Sequence, residues 1–232
     1  MNRRQFSSMS MVALLTCAAV SRAQALTLSD LSAVDASKGL KTALEKGALA
    51  AVGSLGTPDG FLGNEKVRIP LPKFLEDAAK LLRTFGQGGK VDELVIAMNR
   101  GAEAAVPQAR ELLVKAVQTM TVSDAKGILS GGATAVTRFF ESKTRSQLAT
   151  RFLPIVNQAT AKVALASKFN EVAGKAAELG LVKKDEASIQ KYVTDKTLDG
   201  LFYMIADQEK KIRENPTAYG SAILSKVFGA LK

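Results

Sequence analysis

The chain has 232 residues, 47% of them hydrophobic, a formal charge of +10, one cysteine, and neither histidine nor tryptophan. Without imidazole, most nucleophile–base pairs and most transition-metal sites are excluded, so no metal and no cofactor are expected. The basic balance points to an acidic surface as partner, or serves only solubility.

In chain order, Asn2, Arg3, Arg4, Gln5 and Phe6 precede an apolar run from Met9 to Val20, which Ala23, Gln24 and Ala25 follow. A basic segment, a short apolar segment and an A-x-A site make residues 1–25 a signal peptide, with the mature chain starting at Leu26 outside the cytoplasm. Arg3 and Arg4 with Phe6 fit twin-arginine export as well as general secretion, although Ser7 and Ser8 break the twin-arginine consensus. Leu14, Leu15, Thr16 and Cys17 resemble a lipobox, but Thr16 suits lipidation poorly and the downstream cleavage site competes. Cleavage removes Cys17 together with Arg3, Arg4 and Arg22, which lowers the charge from +10 to +7. The periplasm or exterior offers anionic phospholipid, lipopolysaccharide and cell-wall polymer, and seldom nucleic acid. No second apolar stretch reaches the roughly 20 residues of a spanning helix.

Residues 26–232 read as one all-helical domain, a bundle of about eight helices. Leu40, Leu44, Ala48, Ala51 and Leu55 keep helical spacing. So do Phe74, Ala78, Leu81 and Phe85, then Leu94 with Met98, then Leu112, Ala116 and Met120. Thr57, Pro58, Asp59 and Gly60 predict a turn, and Ile69, Pro70, Leu71 and Pro72 an extended entry to a helix. Gly86, Gly88 and Gly89 are expected to close that helix, Asp92 to sit in the first turn of the next, and Pro107 to start or kink one. Ser123 reads as an N-cap, and Gly131 with Gly132 as a stop. Val136 to Val163 is either one helix bent at Pro154 or two. Lys183, Lys184 and Asp185 begin a polar connector. Leu198, Leu201, Phe202 and Ile205 form one late stripe; after Pro216, Ile223, Leu224, Val227, Phe228 and Leu231 form another.

Two motif-like runs lack their context. Gly86 through Lys90 reads G-Q-G-G-K, but a phosphate loop needs a preceding strand and a hydroxyl residue after the lysine, where Val91 stands. Asp195, Thr197, Asp199 and Gly200 match an EF-hand opening, yet Ala206 occupies the position of the bidentate glutamate. The candidate ligand-binding residues are Asn99, Arg100, Glu103, Asp124, Lys143 and Asp199. Asn99 and Glu103 stand one helical turn apart, where they bind a ligand or tie helices together. Asp124 lies just inside a helix start, which the helix dipole alone explains. Lys210, Lys211, Arg213, Lys226 and Lys232 make the C-terminal region the candidate for an anionic surface.

Several ordered segments are similar to a bacterial family, domain of unknown function 4197. They are Ile69-Pro70-Leu71-Pro72, Met98 through Glu103, Asp124-Ala125 with Ile128, Leu129 and Gly131, Phe140 with Lys143 and Thr144, and Phe152 with Pro154 through Val156. Tyr192-Val193, Leu198 through Phe202 with Ile205, Lys210 through Arg213, and Lys226 through Gly229 complete the set. Gly101, where the family has alanine, and Pro107 depart from the pattern. The resemblance implies an exported, all-helical, single-domain protein and supplies no activity, catalytic residue or ligand.

The leading expectation is a non-enzymatic envelope protein that binds a partner protein or an apolar small molecule between helices, in a cavity lined by Phe139, Phe140, Phe152 and Phe202. The alternatives are a peripheral binder of anionic membrane or cell wall acting through the C-terminal cations, and a carboxylate-based hydrolase. Ser142 and Lys143 are adjacent in a helix and point apart, so they give no Ser-Lys pair.

Overall fold

The computed structural model describes residues 33–178 and 188–215. Among them stand eight α-helices and no strand: α1 (Ala33–Leu55), α2 (Lys73–Thr84), α3 (Gly88–Ala105), α4 (Ala109–Gln118), α5 (Val122–Ser130), α6 (Ala135–Thr160), α7 (Ala164–Glu178) and α8 (Ile189–Glu214). A 3-10 turn, Val106–Gln108, joins α3 to α4 and carries Pro107 where its missing N–H costs nothing. The signal peptide, the polar connector at Lys183 to Asp185, and the last stripe with Lys226 and Lys232 lie outside the described residues.

The axis of the bundle is α6. Its buried positions Val136, Phe140, Thr144, Leu148, Phe152, Val156 and Thr160 recur every four residues. Four residues turn an α-helix by about 40° beyond a full revolution, so the buried stripe winds around α6 instead of running along one side. The buried stripe of the helix touches α3, α4, α5 and α8, while residues such as Arg138, Ser146, Thr150 and Asn157 stay exposed. Pro154 sits inside this single helix without breaking it. The buried hydroxyls of Thr144 and Thr160 donate to the carbonyls of Phe140 (2.7 Å) and Val156 (2.9 Å), which satisfies them within their own helix.

Against this axis, α8 buries Leu198, Leu201, Phe202 and Ile205, and α1 buries Leu40, Leu44, Ala48, Ala51 and Leu55. Gly101 lets α3 approach α6 closely: a Cβ there would meet the Ala159 Cβ at 3.1 Å and the Val156 Cα at 3.6 Å. An alanine needs a shift of only a few tenths of an ångström, so the departure at Gly101 leaves the packing intact.

Three local expectations change. In α2, Leu81 and Phe85 are 61% and 75% exposed, and the buried side is Leu75, Ala79 and Leu82. The helix carries two adjacent apolar stripes, and only the second meets α3. Gly88 and Gly89 open α3 instead of closing α2, because Gly86 alone takes the left-handed conformation, φ +72°, that ends the preceding helix. The N-cap of α5 is Thr121, not Ser123: its Oγ1 accepts from the Asp124 N–H at 3.0 Å. The Asp124 Oδ2 in turn accepts from the Thr121 N–H at 2.9 Å, closing a capping box.

Glycines separate packing from propensity. At Gly200 on α8, a Cβ would stand 2.7 Å from the Phe61 ring and 3.4 Å from Val67. Gly200→Ala is expected to lower stability, since overpacking costs about 1–3 kcal/mol against a propensity gain of about 1 kcal/mol. Gly127→Ala in α5, where a Cβ meets nothing within 4 Å, should gain about 0.5–1 kcal/mol. Urea midpoints of the two variants should move in opposite directions with the slope unchanged.

Candidate functional site

Between α1 and α2 the chain runs from Gly56 to Pro72 outside any α-helix, so its backbone polar groups need other partners. Local turns satisfy some: Gly60 N–H to Thr57 O at 3.0 Å, Gly63 N–H to Asp59 O at 3.1 Å, and Val67 and Arg68 N–H to Asn64 O at 3.1 and 2.8 Å. The buried Phe61 and Ile69 are anchored from α3.

Asn99, wholly buried, accepts from the Ile69 N–H at 2.9 Å and donates to the Ile69 carbonyl at 3.0 Å and the Val95 carbonyl at 2.8 Å. One turn on, Glu103 Oε1 accepts the N–H groups of Phe61 and Leu62, both at 3.0 Å. Its Oε2 takes the Arg100 guanidinium at 2.6 Å, whose other nitrogen reaches Asp59 at 2.8 Å. Asp59 holds a left-handed φ of +65° at the turn. Asn99, Arg100 and Glu103 thus form a clamp on the loop, with the amide, the carboxylate and the guanidinium all engaged. None of the three lines the cleft or the groove described below.

Asp124 and Lys143 meet elsewhere, in a cleft of about 230 Å³ between α4, α5 and α6. Leu112, Ala116, Met120 and Phe139 form its apolar floor, and Lys115, Lys143, Asp124 and Gln147 its rim. Hydrogen bonds from the Thr121 amide and hydroxyl hold the Asp124 carboxyl below its ordinary range, with Lys143 adding to the effect. Among the described residues, neither lysine makes an ion pair. Phe140, Phe152 and Phe202 are fully or almost fully buried in the core; of the four expected to line a cavity, only Phe139 reaches the cleft.

Asp199 stands in a third place. It takes Arg145 of α6 at 2.6 Å and Lys196 at 3.3 Å, while Arg145 also reaches Glu141 at 3.3 Å and lies over the Phe202 ring at 5.8 Å. The six candidates therefore occupy three separate locations. Asp195 to Ala206 runs within α8, which leaves no EF-hand loop.

Of the C-terminal cations, the three among the described residues are compensated. Lys210 faces Glu214 at 3.9 Å, Lys211 faces Asp207 at 2.7 Å, and Arg213 faces Glu209 at 2.8 Å, each one helical turn apart. Burial pushes the Glu209 carboxyl up, while Arg213 and the backbone of Val136 and Thr137 at the start of α6 draw it down. Arg145, Lys115, Glu209 and Tyr192, whose phenol donates to the Pro70 carbonyl at 3.0 Å, carry site geometry that sequence reasoning missed. Only Tyr192 had a sequence signal, its place in a family segment.

Asn99→Ala and Glu103→Ala each strand buried backbone groups, and each should cost about 2–4 kcal/mol, read from urea midpoints. Arg100→Ala, with its guanidinium 41% exposed, should cost less than half as much. Asp124→Ala should cost about 1 kcal/mol at neutral pH through the lost cap. Because its folded carboxyl is depressed, that contribution is complete above the ordinary carboxylate range and disappears as pH falls through the folded value. The gap between variant and wild type should therefore close in acid.

No curated protein and no solved structure matches the chain. A family described as "Protein of unknown function (DUF4197)" matches residues 30–229, and the chain belongs to that family.

Proposed function

We propose that the protein is an exported, non-enzymatic binding protein of the cell envelope, and that its ligand sits in the cleft between α4, α5 and α6. The observation that carries this reading is the cleft's chemistry. Leu112, Ala116, Met120 and Phe139 supply an apolar floor, and Lys115 and Lys143 stand at the rim beside Asp124, neither making an ion pair among the described residues. A small apolar molecule with an acidic or polar end fits such a site, since pockets combine apolar walls with a few orienting polar groups.

The N-terminal segment supports export. The hydrolase alternative needs two carboxylates converging on one bond. Glu103 is engaged by the loop, Asp124 by its helix cap, and Asp199 by Arg145 and Lys196. The reading as an anionic-surface binder through the C-terminus loses force where Lys210, Lys211 and Arg213 each face an acid.

The test is mass spectrometry of the protein purified from its own periplasm, native against denatured. The expected denatured mass begins at Leu26, and the expected native mass carries an adduct that Lys115→Glu with Lys143→Glu removes. A denatured mass that includes residues 1–25 would contradict export. A bare native mass, or an adduct that survives both charge reversals, would contradict the cleft.

A further inference from the structure

A second concave surface lies between the clamped loop and α8, a groove of about 320 Å³. Its floor is Val67, Ile69 and Gly200, all buried, and its rim is Lys66, Arg68, Pro70, Lys196, Asp199 and Tyr203. We propose that this groove binds a phosphate group, independently of the cleft.

The charge balance favours an anion. Lys66 and Arg68 are exposed, and among the described residues neither side chain makes a hydrogen bond or an ion pair. Asp207 and Lys66, and Asp92 and Arg68, act on each other only through charge, without an ion-pair contact. Asp199 is the one acid on the rim, and Arg145 approaches it from outside the groove at 2.6 Å. That contact and the Lys196 ammonium at 3.3 Å neutralise Asp199, while Arg145 also serves Glu141, so Lys66 and Arg68 are the cations in excess. Tyr203, 48% exposed, adds a phenol donor.

The backbone that carries these cations is fixed before any ligand arrives. Asn64 accepts from the Lys66, Val67 and Arg68 N–H groups, Asn99 grips both polar groups of Ile69, and Tyr192 holds the Pro70 carbonyl. A loop held this firmly loses little further freedom on binding, so more of the interaction appears as affinity. The planar Arg68 guanidinium suits two phosphate oxygens at once, and Lys66 acts as a point charge beside it. The buried polar clamp of Asn99 and Glu103 thereby gains a functional reason: it positions a basic loop.

Phosphate of this kind comes free or on a lipid headgroup, and two arms of one experiment separate the sources. The full processed chain is titrated with orthophosphate by calorimetry, and floated with phosphatidylglycerol–phosphatidylcholine vesicles against pure phosphatidylcholine. Lys66→Glu with Arg68→Glu should weaken binding by about tenfold or more. Lys126→Glu with Lys162→Glu, an equal change of charge elsewhere, should leave it within about twofold. Urea midpoints of both double variants should match wild type, since none of the four side chains has an intramolecular partner among the described residues. Orthophosphate binding with this pattern assigns a free anion; vesicle binding alone with this pattern assigns a headgroup. Binding in neither arm, or equal loss in both double variants, overturns the proposal.

Discussion

The hydrogen bonds from Asn99 and Glu103 to the loop between α1 and α2 are the constraint on which the rest of the structure depends. They lie one turn apart on α3 and grip the loop at two points, Phe61 with Leu62 and then Ile69. Those points place Phe61 against Gly200 of α8, so the polar clamp and the apolar core position the same segment. Leaving either partner out would strand backbone groups away from water, a larger penalty than the net worth of the bonds themselves.

Around that clamp the bundle closes on α6, whose four-residue spacing of buried side chains winds its contact face past its neighbours. Its phenylalanines, Phe139, Phe140 and Phe152, fill the interior. The two concave surfaces that carry the candidate sites lie at the end of α4 and beside the 66–70 segment. Cations that make no ion pair among the described residues stand at both, Lys115 and Lys143 at one and Lys66 and Arg68 at the other, whereas Lys210, Lys211 and Arg213 are matched by acids one turn away. Local pairing, more than net charge, decides which basic residues are available to a partner.

Helix positions were legible wherever a single apolar stripe exists. Leu40 through Leu55 and Leu198 through Ile205 needed only their spacing, while Pro107 marked the junction of α3 and α4 and Gly131 the end of α5. In α2 two stripes compete, and the choice between Leu81 with Phe85 and Ala79 with Leu82 depends on α3, which local sequence does not encode. Thr121 was hidden because Ser123 offers an equally good capping side chain two residues later. The Asn99–Glu103 pair was visible as a pair, but its partners lie 30 and 42 residues earlier along the chain. Nothing in helical spacing announces a loop returning over that distance. A long segment without helical pattern, followed by buried polar residues one turn apart, is the signal that links them.

The central claim is that the loop is held as firmly as the core. Amide hydrogen exchange of the wild-type protein tests it most directly, residue by residue, at Phe61, Leu62 and Ile69. The clamp predicts protection of these three amides close to that of Leu198 and Leu201 in α8, because all would open only with the whole domain. Rapid exchange at the three while α8 stays protected would contradict it.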